Sequence, residues 1–294
     1  MNSKDQVVTL VHSHSLAKED LSKYFQNTLS LKINKEIKLS DCAYDFYLES
    51  ITPEQNQELR KKCYLEKTDI CIQFLTSREK KILLSDMDAT IIENETLDDL
   101  VKISGVEANI DETSKLAMEG KIDIKTTLST RVNYLKGKPK SLIDQALEGI
   151  KFHSGSKVLV KTLNQKGYVT SLVTGGFAPI STFVGDRLGF QNVISNEFEF
   201  KDDCFTGKYV PITAGKNSKL DYLNKLTKEK NISKSKVVAI GDGANDLGML
   251  TTAGLGVGYH AHEIVQKKVE NQIFFNDLTA VLYYLGFEKR EFVL

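Results

Sequence analysis

Three apolar runs constrain the fold more than any other feature: KILLSD at residues 81–86, YVTSLVTGG at 168–176 and KVVAIGDG at 236–243. Each ends in carboxylates, hydroxyls or glycines. Strands covered on both faces read as near-continuous hydrophobic segments, and the working residues of such sheets gather at the carboxyl ends of the strands. The pattern predicts an α/β fold: a doubly wound, mostly parallel, Rossmann-like sheet with helices on both faces.

Between the first two runs lie residues 93–153, rich in helix formers (LDDLVKISG, DETSKLAMEGKIDIKTTLSTRVNYLKG, PKSLIDQALEGI). A connection this long carries structure of its own and reads as a helical cap over the strand ends. Ahead of the first run, strand-like pieces (VVTLV, CAYDFYLES, DICIQFL) alternate with helix-like ones (AKEDLSKYFQNTLS, PEQNQELRKKCYLE), a small α+β module. The charged stretch TSREKK follows it. The expected division is 1–78 for the module and 79–294 for the larger unit, and 294 residues hold two domains of ~100–200 residues each.

Lysine plus arginine equals aspartate plus glutamate at 39 each, so no global field favours nucleic acid or a polyanion. Cys42, Cys63, Cys71 and Cys204 form no CxxC pair and no zinc spacing, which fits a reduced, cytoplasmic setting. The run VVTLV near the amino terminus is too short for a signal peptide, and nothing approaches a membrane span of ~20 apolar residues. The expectation is a protein that meets neither membrane nor nucleic acid.

Asp86 and Asp88 sit at i and i+2, which in an extended segment places both carboxylates on one side. Two carboxylates held together call for a shared proton or a cation. In VVAIGDGANDLGML, Asp242 follows a buried strand, with Asn245 and Asp246 in the turn beyond. Asp86 and Asp242 offer the hard oxygen ligands that magnesium prefers, and Asp246 is placed to hold the metal's waters or to orient Asp242. Thr174, Gly175 and Gly176, read as the turn from a strand into a helix, form a natural phosphate cradle. Lys219, near a helix start, can offset the carboxylates and a phosphate, with Lys216 competing by composition. Taken singly, each segment is an ordinary turn, cap or surface lysine. Together they compose a phosphoryl transfer. Asp86 attacks phosphorus, Asp88 first donates a proton to the leaving alcohol and then activates water, and the cation, Lys219 and Thr174 offset the charge.

DMDAT, VTGGF, Lys219 and GDGANDLGML, in that order and with a helical insertion after the first, resemble the haloacid dehalogenase superfamily and, more narrowly, the phosphoserine phosphatases. NETLDDL, AMEGKIDIKTTLSTRVNYLKG and AGLGVGYHA resemble that family's cap and carboxyl-terminal segments. The resemblance runs from about residue 80 to 285. It implies Asp86 as nucleophile and Asp88 as general acid/base, with Mg2+ on Asp86, Asp242 and the backbone carbonyl of Asp88. It implies phosphate contacts from Thr174, Gly175, Lys219 and Asn245, and it favours Lys219 over Lys216 by register. Glu95 matches the acid that meets the substrate ammonium, Arg131 the arginine that pairs with its carboxylate, and Met118 a cap residue packed over the substrate. The implied reaction is hydrolysis of O-phosphoserine to serine and phosphate through an aspartyl-phosphate, the last step of serine biosynthesis.

Two letters depart from the family: Ala89 stands where serine is usual, and Thr174 replaces serine while keeping the hydroxyl. HAHE after Tyr259 also differs and receives no chemistry. The alternatives are a phosphotransferase passing the group to homoserine, a phosphatase for another small phosphomonoester, and a silent regulatory protein on the same fold. The amino-terminal module resembles small ACT-like regulatory domains and is expected to bind an amino acid, to form a homodimer or to support the fold. His12 and His14 are expected at its surface.

Overall fold

The computed structural model describes residues 5–13, 31–106, 124–213, 215 and 217–294. The segment AKEDLSKYFQNTLS, expected to be helical, and His14, Met118 and Lys216 lie outside the described residues. Two sheets organise the rest.

The first sheet joins β1 (Gln6–His12), β2 (Ile33–Lys38), β3 (Ala43–Leu48) and β4 (Thr68–Phe74), all antiparallel, in the order β2-β3-β1-β4. Alternation along these strands separates two faces. Val8, Leu10, Phe46 and Ile70 turn towards helix α1 (Pro53–Leu65), packing on Leu59 and Cys63. Thr52 starts α1 with a capping box: its hydroxyl accepts from Gln55 N, and Gln55 Oε1 accepts from Thr52 N at 2.9 Å.

The second sheet holds β5 (Ile82–Ser85), β6 (Val169–Ala178), β7 (Asn192–Lys201), β8 (Cys204–Val210), β9 (Val237–Gly241), β10 (Leu255–Tyr259) and β11 (Asn271–Ile273), in the order β11-β10-β9-β5-β6-β7-β8. All neighbours are parallel except β8, which returns antiparallel on β7. The apolar run 82–84 lies at the centre because both of its faces are covered. One side packs with α5 (Ser156–Gln165) and α6 (Ile180–Leu188), the other with α7 (Ser218–Lys230) and α8 (Leu247–Thr252).

The insertion after β5 contributes α2 (Thr96–Ile103), α3 (Ile124–Tyr134) and α4 (Leu142–Glu148). Their apolar faces, including Leu100, Val132 and Ile143, share a cluster with Phe177, Phe198 and Phe205 of the sheet. The two legs of the insertion meet at an Ile92–Phe152 bridge, and Glu93 N donates to Lys151 O at 2.8 Å. The segment Gly137–Lys140 also bonds along β8: Gly137 N donates to Phe205 O and Phe205 N to Lys138 O. The cap therefore rests on the β7–β8 hairpin as well as on its legs.

Two sequence expectations, for His12 and for TGG, need correction. Within TSREKK, Lys80 is buried and Arg78 pairs with Asp45 at 2.7 Å, because the other face of the first sheet is pressed onto the larger unit. There Asp69 accepts from the backbone N–H groups of Phe274, Phe275 and Asn276, and Gln73 Nε2 donates to Tyr284 O. His12 is buried, not exposed, with Nδ1 2.6 Å from Thr68 Oγ1 across the β1–β4 pair. Finally, TGG does not open a helix. β6 continues to Ala178, its pairing with β7 is interrupted between Val173 and Phe177, and α6 begins only at Ile180.

Candidate active site

The register of three parallel strands assembles the site. Ser85 lies opposite Ile240 of β9 and Leu172 of β6, so the residues just beyond these positions emerge side by side. Asp86 N donates to Ile240 O at 3.0 Å, which fixes the first aspartate against the strand that delivers Asp242. Met87, between the two aspartates, is fully buried, so Asp86 and Asp88 share the opposite side.

Lys219, in the first turn of α7, is 2% exposed and reaches both Asp86 Oδ1 and Asp246 Oδ1 at 2.6 Å. Asp246 spends its other oxygen on the turn after β9, accepting from Asp242 N at 3.2 Å and Gly243 N at 3.0 Å. Asp246 thus ties the turn that carries Asp242 to Lys219. Gly241 is required here, since a Cβ would stand 2.4 Å from Asp246 Cγ.

Asp88 sits over the amino end of α2: Thr96 N donates to its Oδ1 at 2.8 Å, and Thr174 Oγ1 lies 3.4 Å from its Oδ2. The Thr174–Gly176 arch is held from behind. Asn196 Nδ2 donates to Gly175 O at 2.8 Å, Asn196 Oδ1 accepts from Ile212 N and Thr213 N, and Thr213 Oγ1 donates to Thr174 O. A Cβ on Gly176 would come within 2.9 Å of Met87 Cε and 3.1 Å of Asp88 Oδ2, whereas one on Gly175 would enter open space. The cradle is thus a strand irregularity locked by side chains, with room on its Gly175 side.

Charge is unbalanced in this buried pocket. Burial, followed by the neighbouring charge of Asp246, pushes Asp86 well above the ordinary carboxylate range despite Lys219. Burial and Asp246 push Asp242 up to about 7 against the pull of Lys219 and a hydrogen bond from Thr90. Burial also raises Asp88, opposed by the Thr96 N–H, so a proton resides there more readily than on an exposed aspartate. Burial opposes the Lys219 charge, but Asp246 and Asp86 outweigh it and raise that amine. Carboxylate oxygens of Asp86, Asp242 and Asp246 lie within 4.8 Å of one another, against one ammonium. Asp242 Oδ2 is buried with no hydrogen-bond partner among the described residues. Hard oxygen donors, an orphaned carboxylate oxygen and two uncompensated negative charges together fit a divalent cation such as Mg2+.

On the cap side, Glu95 is the residue before α2. Burial, then the charges of Asp88, Asp242, Asp98 and Asp86, raises it well above its ordinary value, a setting that welcomes a cation. Arg131, in the last turn of α3, is buried and faces Asp98, with Nε 3.2 Å from Oδ1. Asn245 lies in the single 3-10 turn Ala244–Asp246, its Oδ1 buried without a hydrogen-bond partner among the described residues. Ala89, the atypical letter of the first motif, has φ 51°, and its N–H donates to Asn94 O at 3.2 Å.

Several supports escape the motifs. Thr90 Oγ1 donates to Asp242 Oδ1 at 2.9 Å; its place in DMDAT is the signal that could have found it. Asn196, Thr213 and Asp98 carry no such local mark. In HAHE, His262 N donates to Asp242 O at 2.9 Å, and its Nε2 stands 3.9 Å from Asp242 Oδ2.

An α/β sheet with two aspartates after its central strand, a third after the neighbouring strand and a lysine between them defines a class of phosphoryl-transfer hydrolases. The model of the haloacid dehalogenase-like hydrolase family matches residues 83–251, and the chain belongs to that family. It is 34% identical over 208 residues to a phosphoserine phosphatase of Methanocaldococcus jannaschii, across 71% of this chain and 99% of that protein. A structure of a phospho-aspartyl intermediate analogue of phosphoserine phosphatase superposes with a TM-score of 0.67 at 34% identity, covering 70% of this chain and 99% of that one. A haloacid dehalogenase-family hydrolase from Salmonella enterica serovar Typhi matches with a TM-score of 0.85 at 26% identity, covering 96% of this chain and 98% of that one.

Proposed function

We propose that this chain is a Mg2+-dependent phosphoserine phosphatase, hydrolysing O-phosphoserine to serine and phosphate as the last step of serine biosynthesis. The observation that carries the reading is the Asp86–Lys219–Asp246 chain of ion pairs beside Asp88 and Asp242, at the mouth of a cap that offers Glu95 and Arg131. Kinship to phosphoserine phosphatases points to the same substrate.

In this reading Lys219 aims Asp86 and opposes the protonation that burial and Asp246 favour. An Asp86 carboxylate oxygen attacks phosphorus, forming an aspartyl-phosphate while the bond to the serine oxygen breaks. Asp88, raised by burial, gives its proton to that oxygen. As a carboxylate it then takes a proton from water, whose oxygen attacks phosphorus, releasing phosphate and regenerating Asp86. Thr174, Gly175, Asn245 and Lys219 hold the phosphoryl oxygens. Asp86, Asp242 and the backbone carbonyl of Asp88 are the groups to hold Mg2+, which when bound neutralises negative charge on the phosphoryl oxygens. Glu95 receives the substrate ammonium and Arg131 its carboxylate, two sites for a zwitterion. Met118 closes over the substrate in the same reading, though it lies outside the described residues.

We assign residues 1–78 to a regulatory or dimerisation module and 79–294 to the phosphatase unit, with its cap at 93–153. The face of the first sheet that carries Asp45 and Asp69 is already occupied by the phosphatase unit, so a second copy has to meet another face. All four cysteines are free, in keeping with a cytoplasmic setting, and no helix among the described residues is long and apolar enough to cross a membrane.

The test is Asp86→Asn. Phosphate release from O-phosphoserine with Mg2+ is expected to vanish, and a protein phosphorylated at Asp86 is expected to be trapped in the unsubstituted enzyme but not in the variant. Full turnover in Asp86→Asn would end the nucleophile assignment. Phosphohomoserine in place of free phosphate when homoserine is added would convert the reading to a phosphotransferase.

A further inference from the structure

We infer that Asp98 is a positioning residue that sets Arg131 for the carboxylate of the substrate and thereby selects carboxylate-bearing phosphomonoesters; the inference rests on the reading of the site given above. A receptor for a zwitterion faces a difficulty that its own charges create. It needs a cation and an anion close enough to serve one small molecule, yet the two attract each other, and a buried pair between them would have to be broken by every substrate.

The geometry resolves this with a second acid. Glu95 and Asp98 are three residues apart at the start of α2, neighbours along one side of a helix. It is Asp98, not Glu95, that stands against Arg131, with Nε 3.2 Å from Oδ1 and side chains only 9% and 5% exposed. A guanidinium has five donors in a rigid planar fork. The buried ion pair with Asp98 fixes where that fork stands, and a planar guanidinium held in place can grip the carboxylate of a substrate bidentately. Asp98 also adds to the negative field around Glu95, which strengthens that residue's call for an ammonium. One carboxylate thus gives the arginine a buried partner and strengthens the pull of Glu95 on the substrate amine.

The experiment compares the full-length chain with Mg2+ on O-phosphoserine and on O-phosphoethanolamine, which keeps the phosphate and ammonium but lacks the carboxylate. Asp98→Asn is expected to lower kcat/KM for phosphoserine about tenfold, mostly through KM, the lower end of what losing the outer partner of a ligand-holding group costs. Turnover of phosphoethanolamine is expected to change by less than about twofold, the scale of a surface change. Asp98→Glu, which keeps the charge but moves it, is expected to show the same selective loss and decides the matter should Asp98→Asn fold poorly. In an Arg131→Ala background, Asp98→Asn is expected to have no further effect on the ratio of the two substrates. Equal losses on both substrates, or none on either, would overturn the positioning role. A parent enzyme that does not distinguish the two substrates would instead refute carboxylate recognition by Arg131, a failure of the functional reading that is separable from the role of Asp98.

Discussion

Replacing Lys219 by methionine probes the charge balance at the heart of the site. The ammonium is 2% exposed and 2.6 Å from both Asp86 Oδ1 and Asp246 Oδ1, so its loss leaves two facing carboxylates in a dry pocket. Breaking a buried pair by removing one partner costs ~3–5 kcal/mol. At ~2.1 cal/mol/K per residue, a chain of 294 residues melting as one unit has an unfolding entropy of about 0.6 kcal/mol/K. The expected fall in Tm is therefore about 5–8 °C with a chelator present. Activity should fall at least ~100-fold even in saturating Mg2+, the scale for losing a preorganised group at a developing charge.

The pH dependence separates this mechanism from simple loss of packing. The Lys219 amine is raised above its ordinary value, so its contribution is fully present below ~10.4 and constant over any practical range. The variation must come from the carboxylates. Burial already raises Asp86, and without the ammonium it rises further, so acidification protonates it and relieves the repulsion. The Tm gap between the two proteins should narrow as pH falls from 8 towards 4.5. Asp246→Asn in the Lys219→Met background should recover part of the loss. A gap that is under about 1 °C, or that is independent of pH, would refute the claim that the ammonium holds these carboxylates.

Thr90→Val removes the hydroxyl that donates to Asp242 Oδ1, and metal affinity, read by calorimetric Mg2+ titration or by Mn2+ resonance, should weaken about tenfold. Asp242 is raised to about 7 in the metal-free protein, so the stability it contributes is full below ~3.9 and is lost as pH rises through about 7. A divalent cation favours the ionised carboxylate, so the Tm gain from Mg2+ should be larger at pH 8 than at pH 5; an equal or reversed gain counts against the site. Asp69→Ala leaves the N–H groups of Phe274, Phe275 and Asn276 without their carboxylate and should cost on the order of 3 kcal/mol, with faster hydrogen exchange confined at first to residues 274–277. Uniform exchange across the chain would show that this contact is not the local anchor.

The strands that build the site were legible because burial on both faces demands uninterrupted apolar residues: β5, β6 and β9 correspond to the three runs. β2 (INKEIK) and the β7–β8 hairpin (NVISNEFEFK, CFTGKYV) carry charges along half-exposed edges, so no run marks them. The arch at Thr174 was misread for a related reason. TGG is turn chemistry by composition, but β7 continues to pair beyond it, and tertiary pairing decides whether a glycine pair ends a strand or only interrupts it. His12 is buried against the expectation because a polar letter is a poor guide to depth.

Within the site, the same distinction separates what a motif can carry from what it cannot. Asp86, Asp88, Thr174 and Asp242 all lie just past positions whose strands run parallel in register, so local sequence suffices to bring them together. Residues that lie in no such run hold them from afar: Asn196 reaches Gly175 across 21 positions and Thr213 reaches Thr174 across 39. Threonine and asparagine have no composition that announces such a duty, because each meets a geometric demand set by the fold. Asp98 is the sharpest instance. In the sequence it is one of two adjacent acids in NETLDDL, and the carboxylate of half-buried Asp99 accepts from Asn94 of the cap's own leg. What singles out Asp98 is that α3 brings Arg131 to it and that burial makes their charges matter, and neither condition exists until the cap has folded.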